Sequence, residues 1–124
     1  MSYIKSYKEL IVWQKAIELV REIFRLTGKF PKSELYGLVS QMRRASVAIP
    51  SNIAEGYGRR SRKEYTQFYS IAYGSGLELE TQIFISKDLG FAPYKDFEKS
   101  EMILSEVLKM LNSMIAKLNA KLET

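Results

Sequence analysis

The chain has 124 residues, 46% hydrophobic and 27% charged, with three prolines and seven glycines. That length suits one domain, here 1–124, with enough apolar surface for a core and too few helix breakers for many short strands. Cysteine and histidine are absent, which removes disulfides, thiol nucleophiles, Ser–His couples, ordinary zinc sites and the Glu-x-x-His pairs of a bundle di-iron site.

The first helix is expected over about 6–27. Leu10, Trp13, Ile17, Val20 and Phe24 step by three and four, the period of one helical face, and Ala16, Ile23 and Leu26 widen the stripe. Gly28 and Pro31 then stop it. A second helix is expected over about 33–56, with Ser33 as a cap and an apolar face of Leu35, Leu38, Val39, Met42, Ala45, Ser46, Ile49 and Ile53. Pro50 lies inside that pattern and cannot donate to the carbonyl of Ser46, so a kink is expected there; a restart capped by Ser51 is the alternative.

Gly56-Tyr57-Gly58 reads as a turn, and Ser61-Arg62-Lys63-Glu64 as a capping box opening a third helix over about 61–89. Tyr65, Phe68, Tyr69, Ala72, Ser75, Gly76, Leu79, Ile83 and Ser86 share its face. Gly74 and Gly76 each cost about 1 kcal/mol relative to Ala and suggest close approach of a neighbouring helix. Gly90 and Pro93 precede a fourth helix over about 96–122. Its stripe is Phe97, Leu104, Leu108, Leu111, Ile115, Leu118 and Leu122, with Ile103, Val107 and Met114 beside it. Four helices with short connections imply an all-α, antiparallel up-and-down four-helix bundle.

The net charge is +5 and it is local. Residues 43–63 hold Arg43, Arg44, Arg59, Arg60, Arg62 and Lys63 against one acid, Glu55, while the rest of the chain balances. Guanidinium forks fit phosphate, and the free amides opening the third helix add a favourable dipole. Such a strip suits RNA or DNA; the plainer alternative is a solvated turn. Tyr57, beside the arginines, is the better base-stacking candidate, whereas Tyr65, Tyr69 and Tyr73 coincide with the core stripe. Glu78 and Glu80 face different ways on a helix and make no catalytic pair. No Gly-rich phosphate loop is present. No enzyme activity, catalytic residue, metal site or cofactor is therefore expected. No apolar run reaches the roughly 20 residues that span a bilayer, and Met1-Ser2-Tyr3-Ile4-Lys5 shows no signal-peptide core. A cytoplasmic protein without a membrane partner is expected.

Several runs together carry a resemblance: Trp13-Gln14-Lys15-Ala16, Phe30-Pro31-Lys32, Tyr36-Gly37-Leu38, Ser40-Gln41-Met42-Arg43-Arg44-Ala45, the run Ile49-Pro50-Ser51-Asn52-Ile53-Ala54-Glu55-Gly56-Tyr57-Gly58-Arg59, Gly74-Ser75, Glu78-Leu79-Glu80-Thr81-Gln82 and Asp88-Leu89-Gly90. The chain resembles the four-helix-bundle proteins encoded in intervening sequences of bacterial 23S ribosomal RNA genes. That family also includes the accessory variability determinant of diversity-generating retroelements. Gly76 departs from the pattern, where a larger residue is expected. The resemblance implies an up-and-down bundle, subunits similar to those that form ring-like homopentamers, and Arg43, Arg44, Arg59 and Arg60 as basic motif positions. The leading expectation is a non-enzymatic, oligomeric nucleic-acid-binding protein, with RNA favoured over DNA. The second is a protein-interaction scaffold, or an accessory subunit for a nucleic-acid enzyme such as a reverse transcriptase.

Overall fold

The structure is a computed structural model that describes residues 5–123, with side chains described through residue 120. Leu122 of the fourth stripe and the leading residues 1–4 therefore lie outside the described side chains. Four long helices account for the described fold: α1 Ile11–Thr27, α2 Ser40–Tyr57, α3 Arg62–Asp88 and α4 Glu98–Glu123. Helix α1 packs on α2 and α4, and α3 packs on the same two. The connections reveal the topology. Phe30, after α1, meets Phe91, after α3, with ring centroids 5.6 Å apart, and Phe97 lies 6.0 Å from Phe30. The α1–α2 and α3–α4 connections thus share one end of an up-and-down bundle. The α2–α3 turn occupies the other end.

Local chemistry sets where the helices begin. Ser6 caps a short 3-10 turn at Tyr7–Glu9, and extended backbone at Leu10 delays α1 to Ile11 rather than residue 6. Before α2 comes a 3-10 turn, Lys32–Glu34, then a π-helical segment, Leu35–Val39, with Gly37 at φ −108° and ψ −113°. The expected cap at Ser33 is replaced by Glu34, whose carboxylate accepts from the amide of Leu38 at 3.5 Å. The backbone leaves helical geometry at Gly37, and α2 is continuous from Ser40 through Pro50 to Tyr57, with no restart at Ser51. Ser61 caps α3 as expected, accepting from the amide of Glu64 at 3.2 Å.

The core stripes of α2, α3 and α4 follow the expected periods, with Met42, Ile49, Ile53, Leu79, Ile103, Val107 and Leu111 fully buried, whereas Leu35, first in the expected second stripe, lies before α2 and is exposed. Helix α1 differs. Its innermost line is Val12, Ala16, Leu19, Ile23 and Leu26, whereas Trp13, Ile17 and Val20 are half-buried and Phe24 is exposed. The helix is apolar over a wide arc, and periodicity alone does not choose which edge faces inward.

The glycines also divide. Gly56 is helical and buried, not part of the turn; a Cβ there would stand 3.0 Å from Cβ of Phe68 and from Cε1 of Tyr69. Gly76 lets α4 approach α3, since a Cβ there would stand 2.6 Å from Cδ2 of Leu108. Gly74 faces open space, with nothing within 4 Å of its Cβ position, so the expected close approach holds for Gly76 alone.

Candidate nucleic-acid interface

Four of the basic candidates are consecutive or nearly so in the α2–α3 turn, and the fold fixes that turn at one end of the bundle. Helix α2 closes with the amide of Gly58 donating to the carbonyl of Ala54 at 3.2 Å, and the amide of Arg59 donates to Gly56 at 3.0 Å. Arg59, Arg60, Arg62 and Lys63 are all exposed. The Arg59 guanidinium lies over the Phe68 ring, 4.4 Å from its centroid, and 3.5 Å from the Glu55 carboxylate. An exposed pair of that kind contributes about 0.3–0.5 kcal/mol, so Glu55 does not remove Arg59 from reach of a stronger anion. Arg60, Arg62 and Lys63 have no ion pair among the described residues. The one further acid in the turn, Glu64, is itself exposed.

Arg43 and Arg44 are neighbours in sequence and part company in space. Arg43 turns to α1: its Nε donates to the Thr27 hydroxyl at 3.0 Å, and its guanidinium sits 4.7 Å from the Phe24 centroid. The Thr27 hydroxyl in turn donates to the carbonyl of Ile23 at 2.6 Å. Arg43 is thereby half-buried in the α1–α2 seam. Arg44 is exposed and borders the α2–α3 side, lining a cleft with Glu78 and Gln82 of α3. About 15 residues separate Arg44 from Arg59, roughly 22 Å along the axis. Arg44 therefore extends the basic turn along the α2–α3 face, and Arg43 does not.

Tyr57 is half-buried at the end of α2. Its phenol, with that of Tyr65, is close enough to Tyr69 to act on it electrostatically. Tyr69 is buried, and burial first, then these two neighbours, raise its pKa above the usual tyrosine value. Tyr57 thus belongs to a small tyrosine cluster at the α2–α3 junction.

Two polar features of this face escaped the sequence reading. Gln82 stands in register with Leu79 and Ser86 on the buried side of α3, and it is only 7% exposed. A polar amide at a core register was the available signal. Gln41 joins it on the cleft wall from α2. Among the described residues no group of three or more acids could hold a metal ion, and no helix is long and apolar enough to cross a membrane.

Fold and turn together define an all-helical bundle protein with a concentrated basic patch at the α2–α3 turn, in which Arg59 alone has an acidic partner among the described residues. The chain belongs to the 23S rRNA-intervening sequence protein family, whose model matches residues 8–113. It is similar in fold to a protein of unknown function from the S23 ribosomal protein family of Bacteroides thetaiotaomicron, known from a crystal structure, at a TM-score of 0.77. The two are 24% identical, and the match covers 85% of this chain and 98% of the other. No curated protein matches the chain.

Proposed function

We propose that this protein is a non-enzymatic, cytoplasmic RNA-binding protein that grips phosphate with the α2–α3 turn. The observation that carries the reading is the set Arg60, Arg62 and Lys63: three exposed cations within four residues, none with an ion pair among the described residues. Arg59 adds a fourth at the same end, and Arg44 a separate contact further along the face. Membership of a family named for 23S rRNA intervening sequences makes RNA, rather than DNA, the polyanion to test first. Arg43 serves the packing of α1 on α2 behind the surface, and half-buried Tyr57, next to the turn, is the residue for stacking a base. Neither metal nor cofactor enters the proposal.

The test is a fluorescence anisotropy titration of a structured 23S rRNA fragment with wild-type protein and with Arg60→Glu/Arg62→Glu/Lys63→Glu. The variant should lose at least tenfold in affinity while keeping its helical circular dichroism. Equal affinity in a folded variant would remove the proposal.

We further propose that the chain acts as a homo-oligomer, a pentamer by its family resemblance. Support comes from the α1–α2 side. Trp13, Ile17 and Val20 line a shallow groove with Val47, Pro50 and Ala54, and the chain's own fold leaves all of these but Pro50 partly uncovered. Phe24 and Val47 are 41% and 43% exposed. The same uncovered stripe favours, as a second reading, a scaffold or accessory subunit that docks a nucleic-acid enzyme such as a reverse transcriptase. Light scattering separates the two: a monodisperse monomer contradicts the oligomer and leaves the docking reading.

A further inference from the structure

Between α2 and α3 lies a cleft of about 350 Å³ lined by Gln41, Arg44, Ala45, Ala48, Glu78 and Gln82. That volume falls within the roughly 300–1,000 Å³ range of small-ligand sites. Its walls hold two exposed charged groups whose bonding capacity the fold does not use, and beside them a buried amide, Gln82. Gln82 is 93% buried, yet its Oε1 has no hydrogen-bond partner. Buried polar atoms are rarely left so, because burial without a partner forfeits the bonds made to water. Arg44 and Glu78 reach the same cleft from opposite helices, and among the described residues neither forms an ion pair. Two opposite charges border one opening without closing it on each other. Ala45 and Ala48 supply a low wall that leaves room between them.

A carboxylate and a carbonyl oxygen accept hydrogen bonds and donate none. An occupant that satisfies Glu78 therefore offers N–H groups on one edge, with a flat face or an anion for the guanidinium of Arg44. We propose that the cleft holds a single unpaired guanine base of the bound RNA. This inference rests on the RNA-binding reading above. Guanine alone among the four bases presents two adjacent donors, N1–H and the N2 amine, on its Watson–Crick edge, and one carboxylate accepts both. Adenine and cytosine place an acceptor beside their amine, which would oppose Glu78. Uracil flanks its one N–H with two acceptors. Glu78 receives the guanine edge, and Arg44 stacks on the base or meets its phosphate, as guanidinium planes do with unstacked bases. The basic turn then positions the strand and the cleft reads one base, the usual division between phosphate and base contacts.

The experiment uses the full chain and fluorescein-labelled single-stranded 12-mers of uridine carrying one central guanosine, adenosine, cytidine or inosine. The guanosine strand should bind about tenfold more tightly than all-uridine RNA. Inosine, which lacks the N2 amine, should lose several-fold of that gain. Glu78→Gln should erase the guanosine preference without lowering affinity for all-uridine RNA. Equal affinity for the guanosine and uridine strands, or a preference that survives Glu78→Gln, overturns the inference while the RNA-binding reading stands. Should no strand bind, calorimetry with guanosine and adenosine monophosphates decides. Selective uptake of the guanosine nucleotide upholds the cleft and discards the RNA reading; no uptake overturns the cleft as well.

Discussion

Arg43 and Arg44 border one shallow depression with Phe24, Val47 and Ala48, yet only Arg43 is held by side-chain partners there. A 100° step around a helix sends the first into the α1 seam and the second out to the α2–α3 face. The Arg43–Thr27 bond and the Phe24 contact make Arg43 a packing residue. Thr27→Val should therefore cost about 1 kcal/mol in urea denaturation and leave RNA affinity unchanged. A loss of affinity without a loss of stability would place Arg43 in the interface after all. Tyr69 offers a second test at this scale. Its pKa is raised by burial and by Tyr65 and Tyr57, so the folded state resists ionisation more than the unfolded chain does. The stability this represents is intact below the normal tyrosine pKa and is lost as pH rises through the raised value. Tyr69→Phe should flatten the alkaline limb of a stability-versus-pH curve, even if it lowers stability at neutral pH. An identical alkaline limb in the variant would contradict the burial argument.

Among the elements, α2 and α3 show how two helical glycines can carry opposite meanings. Gly74→Ala should stabilise the fold by about 0.5–1 kcal/mol, because helix propensity improves and the added methyl meets nothing. Gly56→Ala should destabilise it by about 1–3 kcal/mol, because Phe68 Cβ is fixed close to its backbone and cannot swing away. Thermal melts of the two variants, moving in opposite directions, check both. Helix existence was legible in the sequence because apolar residues recur at three and four over long stretches without prolines. Helix starts were less so. Extended backbone at Leu10 and the distorted Gly37 depend on how the preceding turn packs, which residue spacing does not encode. Pro50 drew attention as a breaker, yet a missing donor at one position is compatible with a helix held on its flanks by Met42, Ile49 and Ile53.

For the whole molecule, charge placement governs the account. Local excess charge in residues 43–63 was visible in the sequence, and so was its clustering beside a turn. Which cations remain available was not, since that depends on Phe24, Thr27, Glu55 and Phe68 arriving from elsewhere in space. Nor could spacing show that both other connections meet at the far end through Phe30 and Phe91. Gln82 lay inside a recognised core stripe and was passed over because its neighbours Leu79 and Ile83 explained the period. A phosphate-dominated contact has a thermodynamic signature, the release of condensed counterions. The most direct measurement is the dependence of RNA affinity on salt between 50 and 300 mM, roughly the range over which such release is read. Contacts from Arg59, Arg60, Arg62 and Lys63 predict a log–log slope of about −2 to −4, shallower by about 2 in Arg60→Glu/Arg62→Glu/Lys63→Glu. A slope near zero for the wild-type protein would contradict the claim that this turn binds RNA through its phosphates.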